Sequence, residues 1–151
     1  AVGYGDDKAI FGFGRNASGR IGFTNLVSNS GVVAADVTRV GTARNNLAAT
    51  TYGSSGQALF AYGYTGSANT AVKNLISNSG VVASDVSGVG TARQALAATS
   101  YGGDKGAFAY GSAGATQYSL KNLVSNSGVI AADVTGVGTA RIYLAAAAYG
   151  Y

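Results

Sequence analysis

The chain has 151 residues, 47% of them apolar, with 24 glycines and no proline, cysteine, methionine, tryptophan or histidine. That length suits one ordinary domain, and the missing cysteines and histidines exclude a disulfide framework, zinc ligation and Ser–His catalysis. Ten Lys/Arg against six acidic residues, all Asp, give a formal charge of +4, scattered rather than clustered among aromatics, which argues against a nucleic-acid-binding face. No apolar run approaches the roughly 20 residues that a membrane-spanning helix needs. The chain starts at Ala1 without a signal-peptide pattern, so a removed leader or a longer parent chain is the expectation.

One stretch organises everything else. Residues 25–44 read NLVSNSGVVAADVTRVGTAR and return almost letter for letter at 74–93 and 122–141, spaced by 49 and then 48 residues. Such regularity means one supersecondary unit used three times within one domain. The Tyr-Gly pairs at Tyr4-Gly5, Tyr52-Gly53, Tyr101-Gly102 and Tyr149-Gly150 mark the units at about 4–51, 52–100 and 101–151.

In chain order, the second unit shows the predicted elements most plainly. A strand at 58–62 (Ala-Leu-Phe-Ala-Tyr) leads into a loop at 64–69 and a second strand at 71–77. Asn78-Ser79-Gly80 makes a turn, residues 81–86 a third strand, Gly88-Val89-Gly90-Thr91 another turn, and residues 93–101 a fourth strand. Glycine and β-branched residues recur too often for helices. The alanine run 144–148 reads as strand too, because its counterparts at 47–51 and 96–100 carry Thr or Ser.

Strands with one wet face alternate apolar and polar residues. Leu59, Phe60, Ala61 and Tyr62 are all apolar, so both faces of that strand are expected to be covered, largely by small residues. The expected fold class is therefore all-β, with three four-stranded antiparallel repeats of 48–49 residues stacked as β-propeller-like blades; a β-trefoil or β-prism is the alternative. The order Arg93, Leu96-Ala97-Ala98, Tyr101-Gly102, Ala107-Phe108-Ala109-Tyr110-Gly111 and Val129-Ile130-Ala131-Ala132-Asp133 resembles a kelch-type blade. A single glycine (Gly63, Gly111) stands where that family has two. The wording of the repeat is also similar to repetitive phage and environmental proteins. The kelch resemblance implies a binding or assembly scaffold rather than an enzyme.

Three blades do not close a propeller of about four to eight. The unclosed repeat number predicts a homo-oligomer, as a ring or a head-to-tail stack. The closing stretch 141–149 carries a strand that the opening stretch lacks, and it calls for a partner from its own N-terminus or from a neighbouring chain.

Few side chains carry chemistry. Asp36, Asp85 and Asp133 each precede an arginine (Arg44, Arg93, Arg141) by eight residues, and the spacing predicts structural Asp–Arg pairs bracing the Val-Gly-Thr turn. Identical carboxylates in identical repeats do not supply the two environments of an acid and a base. Asn25, Asn74 and Asn122, with Asn29, Asn78 and Asn126, could read sugar hydroxyls, or the latter three could form the left-handed turn residues. Asp6 and Asp7 are a weak candidate for a hard cation, since the other copies do not keep them. Where the copies differ, Arg15, Arg20, Tyr64, Asn69, Gln117 and Tyr118 are the candidate partner contacts. No cofactor is expected. The expected function is a non-enzymatic structural or assembly protein, at a virion surface or outside a cell, and the alternative is a repeat lectin that binds glycans through the variable loops.

Overall fold

The computed structural model describes residues 1–38 and 40–149. Arg39 and Gly150, which enter the repeat comparison above, lie outside the described residues. The described chain is all-β, without helices. Its first sheet pairs β1 (Val2–Tyr4), β2 (Lys8–Asn16) and β3 (Gly19–Val27) in that order. A second sheet orders β4 (Ala48–Tyr52), β5 (Gln57–Ala61) and β6 (Lys73–Ile76). The third orders β7 (Ala97–Tyr101), β8 (Lys105–Ala109) and β11 (Lys121–Val124), while β9 (Ser112–Ala113) and β10 (Thr116–Gln117) form a small hairpin. Every pairing is antiparallel.

Two expectations about the strands are corrected. The strand after the recurring arginine (Arg44, Arg93), β4 or β7, pairs with the first strand of the next repeat, so each of those sheets draws on two successive repeats. The expected strand at 81–86 meets β6 through isolated bridges at Ile76↔Val82 and Lys73↔Val86. Between these bridges the Asn74 side chain donates to the Ala83 carbonyl at 3.0 Å and the Ala83 N–H donates to Leu75, which bends the segment off a regular ladder. Segments 33–37 and 130–134 repeat this arrangement on β3 and β11.

The alanine run 144–148 is neither helix nor strand. A strand exists only where its backbone finds a ladder partner; the counterparts β4 and β7 find theirs in the first strand of the following repeat, and among the described residues none follows this run. The run instead lies along the face of β7, sharing shallow clefts with Ala97, Ala98 and Thr99. Tyr143 ties it down by donating its N–H to the Ala95 carbonyl at 3.1 Å.

Successive side chains of a strand point to opposite faces, and β5 uses both. Ala58 and Phe60 join Tyr4, Ile10, Phe13, Ile76 and Val82 in one core, between the first and second sheets. Leu59 and Ala61 join Tyr52, Tyr62, Leu96, Phe108, Val124 and Ile130 in another, between the second and third. The unbroken apolar run is thus the signature of a middle sheet covered on both sides.

Candidate functional site

Four of the side chains that the sequence singles out, Arg44, Asp85, Arg93 and Asp133, meet at the joints between successive repeats. Phe13, at a register shift inside β2, and Tyr62 and Tyr110, just after β5 and β8, have left-handed backbone (φ 62, 64 and 64), each followed by a glycine with positive φ. Bulky residues rarely adopt this conformation, at a cost of about 1–3 kcal/mol. The aromatic therefore holds a left-handed place that would suit a glycine. The conformation turns the Tyr62 carbonyl toward the preceding repeat and its ring toward the following one.

Arg44 occupies the first joint and is wholly buried. Its Nε donates to the Tyr62 carbonyl at 2.9 Å, Nη1 to the Thr42 carbonyl at 3.0 Å and Nη2 to Asn74 Oδ1 at 2.6 Å. The guanidinium lies 4.1 Å from the Phe13 ring centroid, a desolvated cation–π contact worth about 2 kcal/mol. Burial pushes its pKa down to about 10, against the pull of the Asp85 charge. Arg44 stays cationic at neutral pH.

Asp85 closes the same joint. Thr42 donates to its Oδ2 from both backbone N–H (2.9 Å) and hydroxyl (2.6 Å), and Asn74 Nδ2 donates to Oδ1 at 2.9 Å. Partial burial raises the Asp85 carboxyl, but the bonds from Thr42 and Asn74 and the Arg44 charge outweigh it and hold the carboxyl below its usual range. Asp133 shows the same balance in the second joint, with Thr91, Asn122 and Arg93 as its partners.

These bonds correct the expected Asp–Arg pairing. Asp36, Asp85 and Asp133 do not hydrogen-bond Arg44, Arg93 and Arg141 of their own repeats; among the described residues the ion pairs are Lys8–Asp7 and Lys105–Asp104. Each arginine of a joint reaches forward to the next repeat, and each aspartate is held from the repeat before. Charge is balanced across the joint instead of within the unit.

Arg93 repeats the pattern in the second joint. Its Nε donates to the Tyr110 carbonyl at 2.7 Å, and its guanidinium sits 4.3 Å from the Tyr62 ring centroid. Arg93 Nη2 and Asn122 Oδ1, counterparts of the bonded Arg44 Nη2 and Asn74 Oδ1, are buried without a hydrogen-bond partner. Burial raises the Tyr62 hydroxyl pKa, and that hydroxyl donates to the Val89 carbonyl at 3.1 Å.

The remaining candidates are dispersed. Arg20 donates to Asn45 Oδ1 at 3.3 Å and lies 5.0 Å from the Tyr64 ring centroid, so both help to join the first two repeats. Arg15 is exposed opposite Arg20 on the β2–β3 hairpin, a strand extension where a loop was expected. Asn69 bridges Tyr64, and its Oδ1 is buried without a partner. Gln117 is exposed on β10, and Tyr118 donates its N–H to the Gly111 carbonyl at 2.8 Å.

Asn74 and Asn122 are wholly buried and engaged with Asp85 and Asp133, which leaves them no reach to a sugar; Asn25 holds Asp36 at 2.8 Å in the same register. The left-handed turn residue is Gly31, Gly80 or Gly128 (φ 78, 83 and 75), not the asparagine of Asn-Ser-Gly. Asn29 instead donates to Asp7, which also pairs with Lys8. Among the described residues no group of three His, Cys, Asp or Glu gathers as a metal site would require. Compared with known families and curated proteins, the chain matches no family model and no curated sequence.

Proposed function

We propose that this is a non-enzymatic structural protein whose sheets associate with further copies, as in a virion surface part, a fibre or an extracellular filament. Kelch-type propeller blades are the fold we assign to its repeating unit. The observation that carries this reading is the exposure of Phe11. It is 50% exposed on the outer face of the first sheet, whereas its counterparts Phe60 and Phe108, sandwiched between sheets, are 1% and 0% exposed. An aromatic repeated at a buried position and left in water at the outer sheet favours a covering partner. The polar groups of the joints are engaged with each other and do not converge on a cleft, which favours a scaffold over catalysis.

Electron microscopy and solution mass measurements on the native material test the reading. Rings, filaments or other species of several chains are expected. A single chain at every accessible concentration would refute it.

A further inference from the structure

Both joints within the chain use the same four contacts. Thr42 and Thr91 hold Asp85 and Asp133, and the buried Arg44 and Arg93 reach the Tyr62 and Tyr110 carbonyls. Phe60 and Phe108 stand edge-on against Phe13 and Tyr62, with ring centroids 5.3 Å apart in each case. Tyr4 and Tyr52 cover Gly80 and Gly128, so closely that a β-carbon there would fall 2.9 and 2.8 Å from the rings.

The two halves of a further joint lie on opposite outer faces. The first sheet presents Asp36, Phe11 and Gly31; the third presents Thr139, Arg141, Tyr110 and Tyr101. Asp36 is held by Asn25 alone among the described residues. Arg141 stacks 3.8 Å from the Tyr110 ring centroid, ready as Arg44 and Arg93 are, but is exposed. Tyr101 is 38% exposed, against 4% and 7% for Tyr4 and Tyr52. A β-carbon on Gly31 would meet nothing within 4 Å.

We propose that these faces bind each other between molecules: Thr139 and Arg141 of one copy take Asp36 and the Phe13 carbonyl of the next. Tyr101 then covers Gly31, and Phe11 stands against Tyr110. The proposal rests on the assembly reading above and adds the joint and its direction. The two faces differ, so the contact is head to tail and propagates until a ring closes. Strand pairing can extend it. β1 holds only Lys8, Ala9 and Ile10 of β2; in the register of β4 on β5, Ala145 and Ala146 add opposite Gly12 and Phe11. Residues 147–149 and β1 compete for the rest of that edge.

Single-face variants test this joint. Asp36→Ala leaves a molecule with only its Thr139 face, and Thr139→Asp one with only its Asp36 face; both positions are exposed, and circular dichroism checks that each variant folds. In sedimentation experiments each variant alone is expected to self-associate at least about tenfold more weakly than the parent. An equimolar mixture should form a species of two chains and nothing larger. Variants that assemble like the parent, or a mixture that stays as single chains while the parent assembles, would overturn this joint and leave the assembly reading standing. A parent that is itself always a single chain would remove both.

Discussion

Thr42 grips Asp85 from the preceding repeat, with its backbone N–H and its hydroxyl both donating to one carboxylate oxygen, at 2.9 and 2.6 Å. The two residues lie 43 positions apart in the chain. Asp36 holds the same place in the first repeat without a threonine to receive. Asp85→Ala is therefore expected to cost about 1.5–3 kcal/mol in urea unfolding, the range for hydrogen bonds to a charged group. Asp36→Ala should stay within about 0.5 kcal/mol in the single chain. Equal losses for the two would show that the carboxylate acts within its own repeat.

Acid should release the joints. The Asp85 and Asp133 carboxyls are held low in the folded chain, so below the ordinary carboxylate value of about 3.9 the unfolded chain binds more protons. The stability they contribute is fully present above that value and is lost as pH falls through the depressed folded values. Thermal midpoints measured from pH 7 to pH 2 should fall in that window, and Asp85→Asn with Asp133→Asn should flatten the fall. Asp7 and Asp104 are also lowered, by Lys8 and Lys105 on the surface. Half-molar-scale salt should weaken those surface pairs and leave most of the joint-dependent fall in place.

Arg44 is fitted by shape as much as by charge. Three nitrogens of one planar group meet Tyr62, Thr42 and Asn74 while its face lies on Phe13. Lysine keeps the charge but cannot make that fork. Arg44→Lys is expected to lower unfolding stability by about 2–4 kcal/mol, because it leaves buried acceptors short of donors. The exposed Arg141→Lys should change the single chain by less than about 0.5 kcal/mol. Chemical denaturation of both variants checks the contrast.

A good part of the fold was legible in the sequence, because apolar runs and turn residues report local geometry directly. Residues 58–62 were expected as a strand and β5 spans Gln57–Ala61; the apolar Leu59 and Phe60 correctly implied two covered faces. The joints were not legible in the same way. When every repeat carries the same Asp and Arg, spacing alone cannot tell a partner in the same repeat from one in the next. The left-handed Tyr62 left no trace either, since nothing local distinguishes it from an ordinary strand residue. The absence of a strand at 144–148 was a tertiary matter: its sequence suits one, but no sheet edge within the chain receives it.

Glycine at the joint answers to space as well as backbone. Gly41, Gly90 and Gly138 all have left-handed φ (85, 86 and 92). A β-carbon on Gly41 or Gly90 would collide with Oδ1 of Asp85 or Asp133, whereas at Gly138 the nearest atom is the Tyr110 hydroxyl at 3.7 Å. Gly138→Ala should cost about 1 kcal/mol, from backbone strain. Gly41→Ala and Gly90→Ala should cost about 2–4 kcal/mol, with the collision added. Thermal unfolding of the three single variants makes the comparison.

The absence of native cysteine permits one decisive measurement. A chain carrying Asp36→Cys and Thr139→Cys is oxidised and run on a denaturing gel, beside a control carrying Thr42→Cys and Asp85→Cys at an internal joint. The expected result is a reducible ladder of two, three and more chains from the first, and a cross-link confined to single chains from the control. A first variant that yields only single-chain bands, under conditions in which the control closes, would contradict a joint that runs from one molecule to the next.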